Sequence, residues 1–420
     1  MSAPPTIAAP PVETPAAPTP TVGSHFRDYL AKVRGGDMGA LPAVLGLIVL
    51  CGVFAALRPN FMTEGNFANL FTQGAAVTLI AMGLIFVLLL GEIDLSAGFA
   101  SGVCAAVLAQ LVTLHGYPWY VAAAAAIVTG MVIGFALGFL VAKIGIPSFV
   151  VTLAAFLAFQ GVVLLLIKGG TNVSIRDEVL VAIANRNMPP WLGWALTLLG
   201  IAGYAAVQLL RHRNRTTRGL VSEPLAVVLI RIGALALLVG TAVYLLNLER
   251  SRNPLVSLRG VPIVVPVIVV LLVALTFVLH RTAYGRHIYA VGGNREAARR
   301  AGINVDRIRI SVFVICSSMA AIGGIVAASR ATSVDANTGG SKVLLYAVGA
   351  AVIGGTSLFG GKGRVVDAVL GGAVIAVIDN GMGLLSRSSG FTFVVTGLVL
   401  LLAASVDALS RRRAGVTGNR

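Results

Sequence analysis

The apolar residues of this chain fall into long, nearly unbroken blocks separated by short polar stretches. Eleven blocks stand out, at 40–57, 73–90, 95–114, 119–142, 149–168, 191–210, 225–248, 261–279, 308–329, 365–385 and 391–409. About twenty apolar residues in a helix cross the hydrocarbon layer of a bilayer, and each block predicts one such crossing. A twelfth, 342–357, is shorter and rich in glycine. The predicted fold class is all-α and polytopic, with about 12 transmembrane helices.

Composition strengthens that reading. The 420 residues are 57% hydrophobic and 11% charged, with mean hydropathy +0.91, whereas soluble chains carry roughly a quarter charged residues. Apolar surface on this scale faces lipid. A net charge of +16 would suggest nucleic acid in a soluble protein, but here the basic residues gather between blocks. They lie at Arg27–Arg34, Arg211–Arg218 (RHRNRTTR), Arg281–Arg309 and Arg411–Arg413. Lysine and arginine collect in cytoplasmic loops. Twelve crossings with both termini inside place all four clusters on that side, and eleven would strand Arg411–Arg413 outside. Block 342–357 is therefore counted as a crossing, one that is broken by its glycines.

The domain organisation follows. Residues 1–38 read as a disordered Pro/Ala-rich cytoplasmic tail without an apolar signal core. Residues 39–410 form the transmembrane domain, and 411–420 a basic cytoplasmic tail. The longest outer loop, 169–190, has room for a short surface helix closed by Pro189–Pro190. Cys51, Cys104 and Cys316 all lie inside apolar blocks and read as small hydrophobes rather than disulfide or metal partners.

Candidate chemistry is sparse. Gly91–Gly98 (GEIDLSAG) follows one apolar block and Gly354–Gly361 (GGTSLFGG) another, while Phe149–Thr152 and Phe393–Thr396 share the string FVVT. These pairs predict an inverted internal repeat with glycine-interrupted helices in matching halves, a pointer to a translocation path. Glu92 and Asp94 are carboxylates between two apolar blocks, where charge is expensive and faces protein or water. Two arrangements are open: a tight cytoplasmic turn, or a break inside the membrane that Gly91 and Gly98 allow. Asp94 as helix N-cap before Leu95 is compatible with either, and Ser96 adds a hydroxyl. Gly354–Arg364 is not a phosphate loop, because Gly361 stands where the pattern needs lysine and Gly363 follows Lys362. Asp379 and Asn380 sit inside block 365–385, either as functional groups or as inter-helix hydrogen-bonding partners. Arg231, near one end of its block, is explained by snorkelling. The five histidines fall at block ends or loops and form neither a catalytic set nor a metal cluster. No catalytic residue, cofactor or metal is expected.

The most specific segment is RTAYGRHIYAVGGNREAARRAGINV at 281–305, a basic stretch with a short helix-forming core, Asn294–Ala301, between glycines. Together with GEIDLSAG, PSFVVTLAAFLAFQG at 147–161, VIGGTSLFGGKG and VIDNGMGLL, it resembles the permease subunits of ABC sugar importers of the ribose/xylose type. The resemblance covers about residues 40–410. It implies a ten-span, vitamin-B12-importer-like core, with 191–250 as an extra two-span insertion that favours the xylose-type permeases. It also implies a bacterial inner-membrane permease working as a homodimer, with a periplasmic sugar-binding protein and a cytoplasmic ATPase that performs all ATP hydrolysis. D-xylose or a related sugar is the expected cargo.

The resemblance assigns 281–307 as the cytoplasmic coupling loop, with Asn294, Glu296, Ala297, Ala298, Arg299 and Gly302 meeting the ATPase. Glu296 suits the first turn of that helix, and Arg299 and Arg300 the last. The substrate path is expected to include Glu92, Asp94, Ser96, Thr356, Ser357, Asp379 and Asn380. KVLLYAVGAAVIGG lacks the acidic residue many relatives place there. Two rivals remain: a secondary transporter with Glu92, Asp94 or Asp379 as its ion site, and an ABC permease for a branched-chain amino acid or a furanone signal.

Overall fold

A computed structural model describes residues 41–416 with Gly23 and Gly39, apart from 40, 169–170, 221–222, 252, 254, 256 and 387. The expected tail at 1–38 lies outside the described residues except for Gly23. Each of the twelve apolar blocks forms a helix: α1 (Leu41–Leu57), α2 (Glu64–Leu89), α3 (Ala97–Ala109), α4 (Trp119–Phe139) and α5 (Ser148–Leu166) come first. Then α6 (Glu178–Asn185) lies in the 169–190 loop, followed by α7 (Pro190–Thr217), α8 (Leu225–Asn247) and α9 (Val264–Arg281). The basic segment folds as α10 (Ala283–Gly293) and α11 (Arg295–Arg300), and the chain ends with α12 (Val305–Ala331), α13 (Ser341–Ile353), α14 (Val365–Leu384) and α15 (Ser389–Val416). Among the described residues nine helices are long and apolar enough to cross a membrane, and three shorter apolar ones accompany them. The chain is all-α, apart from a two-residue antiparallel pairing of β1 (Val173–Ser174) with β2 (Ser333–Val334).

α13 is too short to cross alone. Its 13 residues rise about 20 Å, against about 30 Å of hydrocarbon. The helix ends at Ile353, immediately before Gly354 and Gly355 of the glycine-rich segment. α2 is longer at its start than its apolar block, because Thr63 caps it, its hydroxyl accepting from the Asn66 N–H at 3.4 Å. Two polar turns, with Asn66, Asn69, Thr72 and Gln73, therefore precede the apolar part.

α2 forms the centre, buried almost continuously from Gly74 to Leu89, and packs against α12, α13 and α14. In lipid, helices gain little from hydrophobic exclusion and associate through close packing of small residues. α4 does this through Gly130, Gly134 and Gly138, one face of the helix, laid against the α12 backbone at Ser317, Phe313 and Ile310. α7, α8 and α9 lie outside, exposing Leu198, Leu199, Leu237, Leu238 and Val270. The α7–α8 hairpin is pinned at one end, where Val243 and Leu246 pack with Ala68 and Val261, the Gly260 N–H donates to Leu246 O at 3.0 Å and the Met188 N–H to Val261 O at 2.8 Å.

Candidate functional site

Between α2 and α3 the chain runs non-helical through a protein interior, and each backbone group there needs a partner. The Gly91 and Glu92 N–H groups reach back to Leu88 O (2.9 Å) and Val87 O (3.2 Å). The Ile93 N–H donates to Ser148 Oγ at 3.3 Å, and Ile93 O accepts from Thr152 Oγ1 at 3.2 Å. Glu92, 5% exposed, concentrates its contacts on one oxygen, Oε1. That oxygen receives Arg309 Nη2 at 2.6 Å, Arg309 Nε at 2.9 Å and Arg295 Nη2 at 2.5 Å.

Asp94, 1% exposed, forms no ion pair among the described residues. Its Oδ1 accepts from the Ser96 N–H (2.9 Å) and Ser96 Oγ (2.6 Å), and its Oδ2 from Cys316 Sγ at 3.4 Å. It is not the N-cap expected from the sequence. α3 starts at Ala97 with Ser96 before it, and the Asp94 carboxylate closes a local turn instead. Cys316 lies seven residues beyond Arg309 on α12, about 10 Å of helix rise. The segment therefore runs from Glu92 into the bundle along α12, with Asp94 buried inside it.

The second glycine-rich segment docks onto the first. The Gly361 N–H donates to Leu89 O at 2.9 Å, and Tyr289 OH on α10 donates to Gly363 O at 2.7 Å. Thr356 and Ser357 are buried. Thr356 Oγ1 donates to Asp367 Oδ2 at 3.2 Å, Ser357 Oγ accepts from the Phe359 N–H at 3.0 Å, and Arg364 Nη2 lies 3.1 Å from Asp367 Oδ1. Gly292, at the end of α10, completes the junction: a side chain there would collide with the Leu89 carbonyl. Gly292 and Gly293, two of the glycines flanking the helix-forming core, lie in the last turn of α10; close approach requires glycine at Gly292, whereas Gly293 has open space around it.

α11 spans Arg295–Arg300, one residue shorter at each end than its expected core. Asn294 caps it, Oδ1 accepting from the Ala297 N–H at 2.9 Å. Ala298 is buried against the bundle, while Glu296, Ala297 and Arg299 face outward, and Glu296 pairs with Arg299 at 3.2 Å. Gly302 follows at φ +83°, the left-handed conformation that ends helices and favours glycine. The residue that ties α11 to the break is Arg295, which the sequence reading passed over, as it did Arg309. A signal existed for Arg309, an arginine two residues into an apolar block.

Asp379 and Asn380 belong to a different place. They lie near the end of α14, where Asp379 accepts from Gln73 Nε2 (2.8 Å), Lys342 Nζ (3.0 Å) and Tyr346 OH (3.2 Å). Asn380 exchanges hydrogen bonds with Asn66 at 2.9 and 2.8 Å. Arg330 joins alongside, donating to Thr72 Oγ1 at 3.0 Å and Asn69 Oδ1 at 3.2 Å. Gln73 and Leu89 are sixteen residues apart on α2, about 24 Å of rise. The residues expected along one path thus form two clusters at opposite ends of the central helix. Asn66, Asn69 and Gln73 were missed, although their spacing puts them on one helical face. Lys342 stands in the run where an acidic residue was noted as lacking, and it supplies a cation to Asp379. Among the described residues no group of three or more His, Cys, Asp or Glu could hold a metal.

The non-helical segment with its two buried carboxylates thus sits within a many-helix bundle, tied to a short exposed helix, and comparison with known proteins identifies the bundle. The family model described as branched-chain amino acid transport system / permease component matches residues 66–404. The chain belongs to this permease family. The permease is 37% identical to the xylose transport system permease protein XylH of Escherichia coli (strain K12) over 387 residues, 90% of this chain and 96% of that one. It is 31% identical to XylH of Haemophilus influenzae over 383 residues, covering 91% and 99%. With the ribose import permease protein RbsC of E. coli (strain K12) it shares 30% over 366 residues, covering 87% and 92%. No solved structure matches the permease.

Proposed function

We propose that the permease is the translocating subunit of an ATP-driven monosaccharide importer in the bacterial inner membrane, with D-xylose or a related pentose as cargo. It works as a pair of identical copies with both termini cytoplasmic. A separate cytoplasmic ATPase supplies the energy, and a periplasmic sugar-binding protein delivers the cargo. The permease itself carries out no chemistry. The likeness to xylose and ribose permeases along almost the whole chain supports the cargo class.

The observation that carries the reading is the ion-paired line from α11 through Arg295 to Glu92. A helix that stands outside the crossings, with Glu296 and Arg299 exposed, suits a groove on a partner. Arg295 gives that partner a direct mechanical hold on the break between α2 and α3. Movement of α11 then shifts Glu92, and with it the extended segment carrying Asp94 and Ser96 and the docked segment carrying Thr356 and Ser357. These five residues form the inner part of the path. Asp379 and Asn380, with Gln73 and Lys342, form its outer mouth, where sugar hydroxyls exchange water for weak polar contacts. Weak contacts suit transport, since a tightly held sugar is not released.

Uptake of labelled xylose into proteoliposomes tests this. Accumulation that requires the permease, its ATPase, the binding protein and ATP is expected. Accumulation under an ion gradient without the ATPase would overturn the coupling reading. Accumulation of leucine in place of sugar would overturn the cargo, a real alternative given the family's description.

A further inference from the structure

The free end of the α7–α8 hairpin carries a pocket that the transport reading does not use. Gln208, Arg211, His212 and Arg215 line it from α7, and Glu223 and Arg231 from the turn into α8 and its second turn. Arg211 and Arg215 are one helical turn apart and share a face. Arg231 is more than a snorkelling side chain: its Nη2 lies 3.2 Å from Glu223 Oε2. Glu223 is thereby engaged, and among the described residues neither Arg211 nor Arg215 pairs with a carboxylate. His212 Nδ1 is buried there with no hydrogen-bond partner, a group in want of one.

The position of the pocket selects its occupant. The hairpin is pinned at the Leu246–Gly260 end, so its other end lies on the same side as the end of α9, which leads into α11. The helix faces beside the pocket, including Val207, Leu210, Leu229 and Ile230, are exposed and belong to the lipid-facing surface. A basic pocket between transmembrane helices, opening to lipid at the membrane–water boundary, suits an anionic headgroup, and arginine's planar fork matches phosphate oxygens in pairs.

We infer that Arg211, Arg215 and His212 bind the phosphodiester headgroup of an anionic phospholipid in the leaflet on the α11 side. The acyl chains lie along the exposed faces of α7 and α8, and the neutral-headed lipids around the hairpin are discriminated against by the two uncompensated guanidinium groups.

The test uses the full chain in phosphatidylcholine nanodiscs doped with phosphatidylglycerol, with lipid retained after detergent extraction read by native mass spectrometry. The wild-type chain is expected to keep phosphatidylglycerol. R211Q/R215Q should lose it on the order of twentyfold, and R215Q alone about fivefold, at roughly one screened charge contact per arginine. R213Q is the control, since Arg213 points away from the pocket face and should retain lipid as the wild type does. The single R215Q variant keeps the test decisive if the double variant inserts poorly. Equal retention by R215Q and the wild type would overturn the site. So would an equal loss in R213Q, which would mark general loop charge, or release of the lipid by millimolar inorganic phosphate, which would mark a soluble-anion site.

Discussion

Arg309 places Nη2 at 2.6 Å and Nε at 2.9 Å from the same oxygen, Oε1, of Glu92. The two residues differ in station: Arg309 is fixed in the second turn of α12, with 14% of its side chain exposed, whereas the third donor, Arg295 of α11, is 42% exposed. Glu92 is therefore held from the bundle and reached from outside it. An unpaired buried charge is far costlier than an unpaired surface one, so the two arginines have different effects when removed.

Glu92→Gln leaves Arg309 without its carboxylate and should cost about 3 kcal/mol of stability, seen as a lower melting temperature in detergent. Arg295→Gln should cost under about 1 kcal/mol, as for a half-exposed pair, yet abolish most ATP-dependent uptake. Equal melting losses in both variants would contradict the division of roles.

Gly292→Leu drives a side chain into the Leu89 carbonyl and should push α10 off the end of α2. Overpacking of this kind costs about 1–3 kcal/mol. Hydrogen exchange should rise at 289–300, with exchange in α4 unchanged.

Glu296→Arg removes an exposed pair with Arg299 that contributes under about 1 kcal/mol. Membrane insertion and melting should stay as in the wild type, while co-purification of the ATPase falls. Unchanged co-purification and unchanged uptake would remove Glu296 from the contact.

Asp379→Asn withdraws the charged acceptor shared by Gln73, Lys342 and Tyr346. If this cluster is the outer mouth, the half-saturating concentration of sugar-loaded binding protein should rise several-fold while the ATPase stays bound. An effect on ATPase association alone would place the cluster outside the path.

The loop at Glu249 gives a pH prediction. The N–H groups of Leu258 and Ser251, then the Ser257 hydroxyl and Arg259, hold its carboxyl down at about 2 from 4.5. Because the folded value is lowered, the loop's stabilisation is present above 4.5 and is lost as pH falls toward 2. Limited proteolysis around 249–259 should stay slow at pH 5 in the wild type and be fast at the same pH in Glu249→Gln.

Much of the fold was legible because lipid imposes one rule, that a crossing segment be long, apolar and helical. Every apolar block became a helix, and even the short 342–357 block showed its break through its glycines. The polar clusters were harder to read. Glu92 and Asp94 announced themselves as carboxylates among apolar residues, but Arg309 and Arg295, which decide what Glu92 does, lie more than two hundred positions away. Asp379 was visible as a charge within a block; its location near the end of α14, opposite Gln73, depends on how α14 packs against α2. Gly292 read only as a glycine flanking the helix-forming core, because glycine's two uses, freedom and close approach, look alike until the neighbouring Leu89 carbonyl is placed.

The most direct test of the proposed coupling is the ratio of ATP hydrolysed to sugar transported by the assembled importer carrying Arg295→Gln. The mutant ATPase complex is expected to form and hydrolyse ATP, with the ratio rising at least tenfold because α11 no longer moves the break. A ratio equal to that of the wild type would show that the Arg295–Glu92 contact plays no part in transport.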